Sequence, residues 1–163
     1  FITGFTSKVA GTEEGIKEPT PTFSALFGEP FMPLDPMVYA DMLGKRIDST
    51  HCRVYLVNTG WQGGGYGVGA RFSLPATRAL VSAALSGELD AEGYTHDDRL
   101  NLDIPVACPG LDAKVLNPRN SWTSGEAYDE AAEKLAEMFA NHAAERFATV
   151  DENVLAAGPH PTK

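Results

Sequence analysis

Between Val54 and Thr77 the sequence places a guanidinium, an aromatic ring and a hydroxyl at the exit of a glycine-rich stretch. Arg71, Phe72 and Thr77 follow five glycines gathered within residues 63–69. Those side chains in that order suit a flat, negatively charged ligand. A guanidinium can stack on a nucleobase and donate to phosphate or ribose oxygens, a phenyl ring adds apolar area, and a threonine hydroxyl can meet a base edge. An apolar run, a glycine loop and a helix start, in sequence, can turn backbone amides and a positive helix end toward a phosphate. Neither standard phosphate fingerprint is matched. Gly64 and Gly69 have the G-x-x-x-x-G spacing, but Ala70-Arg71 stand where Lys and Ser/Thr are needed, and residues 65–70 fit only the loose G-x-G-x-x-A form. The competing reading is a plain glycine-rich surface loop, with Arg71 a surface charge, Phe72 a core residue, and Trp61 and Arg119 packing and surface-network residues.

Other chemistry finds little support. His51, His96, His142 and His160 have no partner at metal-ligand spacing, so no metal site is expected within this chain. Glu13-Glu14 and Asp97-Asp98 are adjacent acids of the kind that are solvated in loops. Ser24 and Ser121 lack the flanking glycines of a nucleophile elbow. Cys52 and Cys108 are lone thiols, which suits a reducing compartment. With 163 residues, 43% of them hydrophobic and 21% charged, the chain has the size and balance of one globular domain. A formal charge of −9 argues against nucleic acid and anionic membranes as partners. No signal peptide or membrane-length apolar run is visible, and a cytoplasmic protein is expected. The chain opens on Phe1-Ile2-Thr3-Gly4-Phe5, an apolar start that reads as the interior of a longer polypeptide.

The elements that would position these groups follow from local signals. Phe1 to Phe5 is expected as a strand, and residues 11–22, with two Gly, two Pro and four charges, as a long mobile loop. Such a loop serves as a lid or as a solvated connector. Phe23 to Phe31 is expected to be buried and irregular. Asp35-Pro36 predicts a helix start, with Met37, Val38, Met42, Leu43 and Ile47 on one face to about Ser49. Cys52 to Val57, nearly continuous in apolar residues, predicts a strand buried on both faces. Ser73 and Pro75 open a second helix that Gly87 closes. Residues 88–99 read as a surface hairpin or loop, and Leu100 to Val106 alternates as a half-buried strand does. Leu111 to Pro118 reads as irregular. Thr123-Ser124-Gly125-Glu126 reads as a capping box for the longest helix, 125–147, and the tail 150–163 should fray. The fold class is α/β in the mixed α+β sense, as a single domain without repeats.

At these residues the sequence resembles the ATP-dependent phosphoenolpyruvate carboxykinase family. Val57-Asn58-Thr59-Gly60-Trp61, the glycine loop, and Gly69-x-Arg71-Phe72-Ser73-Leu74-x-x-Thr77-Arg78-Ala79 carry the likeness. So do Gly4-Phe5-Thr6-Ser7-Lys8-Val9-Ala10-Gly11-Thr12-Glu13, Glu18 to Ser24, and Phe31-x-Pro33-Leu34. Asn101-Leu102-x-Ile104-Pro105 and Leu116-Asn117-Pro118-Arg119-Asn120 complete it, so the blocks run in order over nearly the whole chain.

The resemblance implies the C-terminal third of a longer enzyme, forming part of its nucleotide-binding domain. That enzyme, a carboxy-lyase of gluconeogenesis, converts oxaloacetate and ATP to phosphoenolpyruvate, CO₂ and ADP. It further implies that Arg71, Phe72 and Thr77 bind the adenine and ribose end of ATP, and that loop 11–22 is the active-site lid. The family's phosphate-loop lysine and serine/threonine, its Mg²⁺ and Mn²⁺ ligands and its oxaloacetate-binding arginines would lie upstream. No catalytic residue is then expected here, and the upstream part of the same chain becomes the necessary partner. One departure is Ala70, where many members carry Lys. The alternative is a stand-alone module that binds an adenine nucleotide without catalysis.

Overall fold

A computed structural model of the chain describes residues 1–8, 11 and 14–162. Among these, six short strands pair as three separate two-stranded antiparallel sheets, accompanied by four α-helices and several 3₁₀ turns. The fold is mixed α and β, and its contacts divide it into two compact units.

The first unit comprises Phe1–Val54 and Asn141–Asp151. Its sheet is the hairpin of β1 (Phe5–Lys8) and β2 (Thr20–Phe23), with Phe5 opposite Phe23 and Lys8 opposite Thr20. The strand expected at residues 1–5 therefore begins where that one was to end. Gly4 explains the shift: a Cβ there would lie 2.5 Å from the Ser24 carbonyl oxygen, so the chain turns in close contact before it can pair. Residues 20–22, expected as loop, are strand, and the lid expected at 11–22 becomes the connection of this hairpin. Val9, Ala10, Thr12 and Glu13 lie outside the described residues.

Residues 23–31 are irregular but not buried throughout. Ala25 is enclosed, whereas Phe27 and Phe31 are 53% and 85% exposed. Two 3₁₀ turns, Ala25–Phe27 and Glu29–Phe31, shape this stretch. They are tied by a reciprocal pair: the Glu29 carboxylate accepts from Ala25 N (3.2 Å), and Ser24 Oγ accepts from Glu29 N (3.2 Å). Helix α1 (Pro36–Thr50) starts as its sequence predicts, with Asp35 Oδ1 accepting from Met37 N at 2.8 Å. Near the end of helix α3 (Gly125–Arg146), His142 stacks on Phe23 at 4.1 Å, and Phe5 and Phe147 meet these rings edge-on. Arg146 pairs with Glu29.

The second unit comprises Tyr55–Ala140 and Glu152–Lys163. Its core is Ala83, Leu89 and Cys108, with Tyr55, Leu80, Ala84, Leu111 and Leu116 packed around them. Helix α2 (Leu74–Ser86) is capped by Ser73 and ends at the left-handed Gly87, as its sequence predicts. Hairpin β5 (Tyr94–Asp97) and β6 (Leu102–Pro105) forms where a surface hairpin and a half-buried strand were expected, but the expected alternation over 100–106 is absent, with Leu102 and Val106 exposed. Helix α3 buries Tyr128, Ala132 and Ala136, one residue per turn along a single stripe. Its cap is Ser124, whose Oγ accepts from Ala127 N at 3.1 Å. The expected box of Thr123 with Glu126 does not form, because the hydroxyl one residue later already meets that role. The tail does not simply fray: α4 (Glu152–Ala156) forms, and Thr162 donates twice to the Glu133 carboxylate.

One expectation fails outright. Cys52 to Val57 belongs to no strand, and Val54, Leu56 and Val57 are 58%, 62% and 48% exposed. A strand buried on both faces needs neighbours on both sides, and the described residues supply none. No described helix is long and apolar enough to cross a membrane.

Candidate functional site

The glycine stretch is the loop of a third hairpin, β3 (Trp61–Gln62) and β4 (Ala70–Arg71), in the second unit. This corrects the layout of strand, glycine loop and helix. The loop runs between two antiparallel strands, and Phe72 and Ser73 separate it from helix α2. The pairing extends one rung further, with Phe72 N donating to Gly60 O at 2.9 Å. Asn58 Oδ1 accepts from Gly60 N at 2.8 Å and sets the entry turn.

Two glycines are required here by close approach. A Cβ on Gly69 would lie 2.2 Å from Gly64 O and 2.5 Å from Gln62 O. Gly63 adopts φ +73°, and its Cβ would lie 2.8 Å from Ser121 O. The loop is thus a tightly wound turn, closed by Gly69 N donating to Gly65 O at 2.8 Å.

The three candidate residues leave this hairpin in succession. Arg71 is exposed at the end of β4, directly opposite Trp61. Its guanidinium carbon sits over the Trp61 ring, 5.7 Å from the centroid. Tyr66, at the loop tip, meets Trp61 edge-on at 5.6 Å. Phe72 is half-buried, which lies between the ligand-stacking and core alternatives. Thr77 is half-buried in the first turn of α2, and its hydroxyl donates to Ser73 O at 3.1 Å. That bond uses the hydroxyl proton and leaves oxygen lone pairs to accept from an N–H group.

The electrostatics of this stretch are simple. Arg71 is the only charged residue between Val54 and Thr77. Its guanidinium makes no ion pair or hydrogen bond among the described residues. Arg99 and Arg119, in the same unit, contrast with it. Arg119 grips the Asp129 carboxylate with Nε and Nη2, each at 3.0 Å, and Arg99 reaches the same carboxylate at 3.1 Å. Arg119 is therefore the surface-network residue it was expected to be, and its hydrogen bond holds the Asp129 carboxyl below the usual carboxylate range. With one free cation, an aromatic platform and no acid or base, the hairpin can bind a planar anion but cannot by itself transfer a proton.

Trp61, expected as a packing residue, stands instead as the cross-strand partner of Arg71. Its contact with Arg71 crosses a hairpin whose ends are ten positions apart, and the available signal was the glycine cluster between two short polar-apolar segments. A cleft of 190 Å³ lies elsewhere in the unit, against β6 and the 113–120 turns, and includes none of the three candidates. Among the described residues no group of His, Cys, Asp and Glu is placed to hold a metal ion.

The family model for phosphoenolpyruvate carboxykinase matches residues 1–114. A phosphoenolpyruvate carboxykinase (ATP) of Fusobacterium nucleatum is 54% identical over 98% of this chain and 30% of its own length. The enzyme of that name from Thermus thermophilus is 51% identical over the same shares. One from Geobacter sp. (strain M21) is 56% identical over 90% of this chain and 28% of its own. The chain thus spans about 30% of the length of the curated relatives it matches.

Proposed function

The chain belongs to the ATP-dependent phosphoenolpyruvate carboxykinase family, and we propose that it is the C-terminal part of such an enzyme, supplying the adenine end of its nucleotide site. The reaction is that of a cytoplasmic carboxy-lyase. The bond between the carboxylate and C3 of oxaloacetate breaks to release CO₂, its electrons form an enolate, and the enolate oxygen attacks the γ-phosphorus of ATP. The bond from that phosphorus to the bridging oxygen breaks, giving phosphoenolpyruvate and ADP.

Arg71 contributes stacking and charge to the adenine and ribose, Phe72 apolar area, and Thr77 an acceptor for the exocyclic amine. The observation that carries this reading is Arg71 itself, the one charge in its stretch, held over an indole and not neutralised by a carboxylate. Mg²⁺ and Mn²⁺ supply charge neutralisation to the phosphates when bound, and their ligands belong to sequence outside this chain, as do the oxaloacetate contacts. Its partner is then the upstream part of its own polypeptide, a reading supported by the exposed Val54, Leu56 and Val57 and by the share of the relatives' length it covers.

The connection between β1 and β2 is the lid. Closing it excludes water, so the enolate is phosphorylated and not protonated at C3 to give pyruvate. Shortening residues 13–18 is expected to raise the pyruvate fraction of the product, and an unchanged ratio removes the lid assignment. For the nucleotide site, Arg71→Ala in the full-length enzyme is expected to raise the ATP KM about tenfold or more, the loss of one charge-assisted contact. An unchanged ATP KM withdraws the site.

A further inference from the structure

We propose that Trp61 is the positioning residue for Arg71, a role that rests on the reading of Arg71 as a nucleotide contact. An exposed arginine on a two-residue strand is ordinarily a mobile group, since its side chain carries about 2 kcal/mol of rotamer entropy. Three features restrain this one. Trp61 is its direct cross-strand partner, which puts the two side chains on one face of the hairpin. The guanidinium carbon lies 5.7 Å from the indole centroid, inside the range of a cation–π contact. Tyr66 braces the indole from the loop, edge-on at 5.6 Å and inclined by 71°.

The register that aligns them is fixed in turn by Gly69, where no Cβ fits between Gly64 O and Gln62 O. A carboxylate partner would also have restrained Arg71, as Asp129 restrains Arg119, but it would have taken up the N–H donors. An aromatic face holds the cation through the ring quadrupole and leaves every donor free for a ligand. The indole thus orders the guanidinium before the nucleotide arrives, which lowers the ordering cost of binding.

The test is a double-mutant cycle in the full-length enzyme, read as steady-state turnover at varied ATP and varied oxaloacetate. Trp61→Leu is expected to raise the ATP KM about two- to fivefold, the strength of an exposed cation–π contact, with kcat and the oxaloacetate KM unchanged. Trp61→Phe, which keeps a ring face, is expected to recover part of that loss. In an Arg71→Ala background, Trp61→Leu is expected to add nothing further.

An effect of equal size in both backgrounds overturns the positioning role, as does a Trp61→Leu variant that loses only thermal stability. If Arg71→Ala itself leaves ATP binding intact, the nucleotide reading fails first and the role of Trp61 falls with it. Should Trp61→Leu not fold, Tyr66→Ala provides the same cycle, because Tyr66 is an exposed loop-tip residue whose ring contact steadies the indole. A smaller rise in ATP KM that vanishes without Arg71 supports the proposal, and no rise overturns it.

Discussion

Two histidines of this chain are displaced in opposite directions from the ordinary imidazole range, for reasons visible around each. His142 is packed between aromatic rings, and its Nδ1 has no hydrogen-bond partner among the described residues. Burial, and then the positive Arg146, push its pKa down, against the weaker pull of Glu29 and Glu145. His96 shares its Nδ1 with the Asp103 carboxylate at 2.9 Å, and that hydrogen bond pushes its pKa up. The signs of the stability effects therefore differ. His96 contributes stability that is full below its unfolded pKa and is lost as pH rises through the folded one. His142 binds its proton more readily when unfolded, so acidification through the unfolded and then the folded pKa destabilises its unit. Imidazole NMR titration is expected to find His96 titrating above free histidine and His142 below it. Removing Asp103 with Asp103→Asn should lower the pKa of His96 and leave His142 where it was. At the same scale, Tyr128 is pushed up to about 12, by burial first and then by Asp97. Its own ring NMR signals are expected to show it still mostly neutral at pH 11. The proposed contacts Arg71, Phe72 and Thr77 could be grouped from the sequence because they are near neighbours in it. The contact of Arg71 with Trp61 could not, because it depends on a strand pairing.

At the scale of elements, the helices were legible and the strands largely were not. Helices α1 and α2 announce themselves through Asp35-Pro36, Ser73 and Gly87, which act within a turn of where they stand. Strand boundaries are set by partners, so β1 formed four residues later than expected and the run 52–57 formed no strand. The cap of α3 is a local choice between adjacent hydroxyls, and Ser124 holds it. Ser124→Ala is expected to cost about 1 kcal/mol of stability in denaturant unfolding, and Thr123→Ala little. The glycines separate in the same way. Gly69→Ala meets backbone oxygens that cannot retreat, and it is expected to cost about 1–3 kcal/mol and to raise the ATP KM by disturbing β4. Gly125→Ala meets the guanidinium of Arg119, which can retreat only by giving up its hold on Asp129, and is expected to cost no more than about 1 kcal/mol, the worth of a surface ion pair.

At the scale of the molecule, alanines supply nearly half of the buried apolar residues described, and the larger ones among them, Leu89, Tyr128 and Phe147, each keep some exposed surface. Phe31, Leu56 and Leu85 are more than half exposed. Composition gave no hint of this, since 43% hydrophobic residues is an ordinary share. If the rest of a longer enzyme covers these groups, the amides of residues 54–57 should exchange rapidly in the isolated chain and slowly in the full-length protein. Equal exchange in both would mean that nothing packs there. The resemblance of the sequence to its family was legible because it rests on blocks in order, and the match over residues 1–114 agrees with it. The measurement that bears most directly on the account is photolabelling of the full-length enzyme with an azido-adenine nucleotide, followed by tryptic peptide mapping. Cleavage after Arg53, Arg71 and Arg78 isolates residues 54–71 and 72–78. ATP-protected label on one of these two peptides is the predicted result, and label confined to other peptides would contradict the assignment of the adenine site to this hairpin.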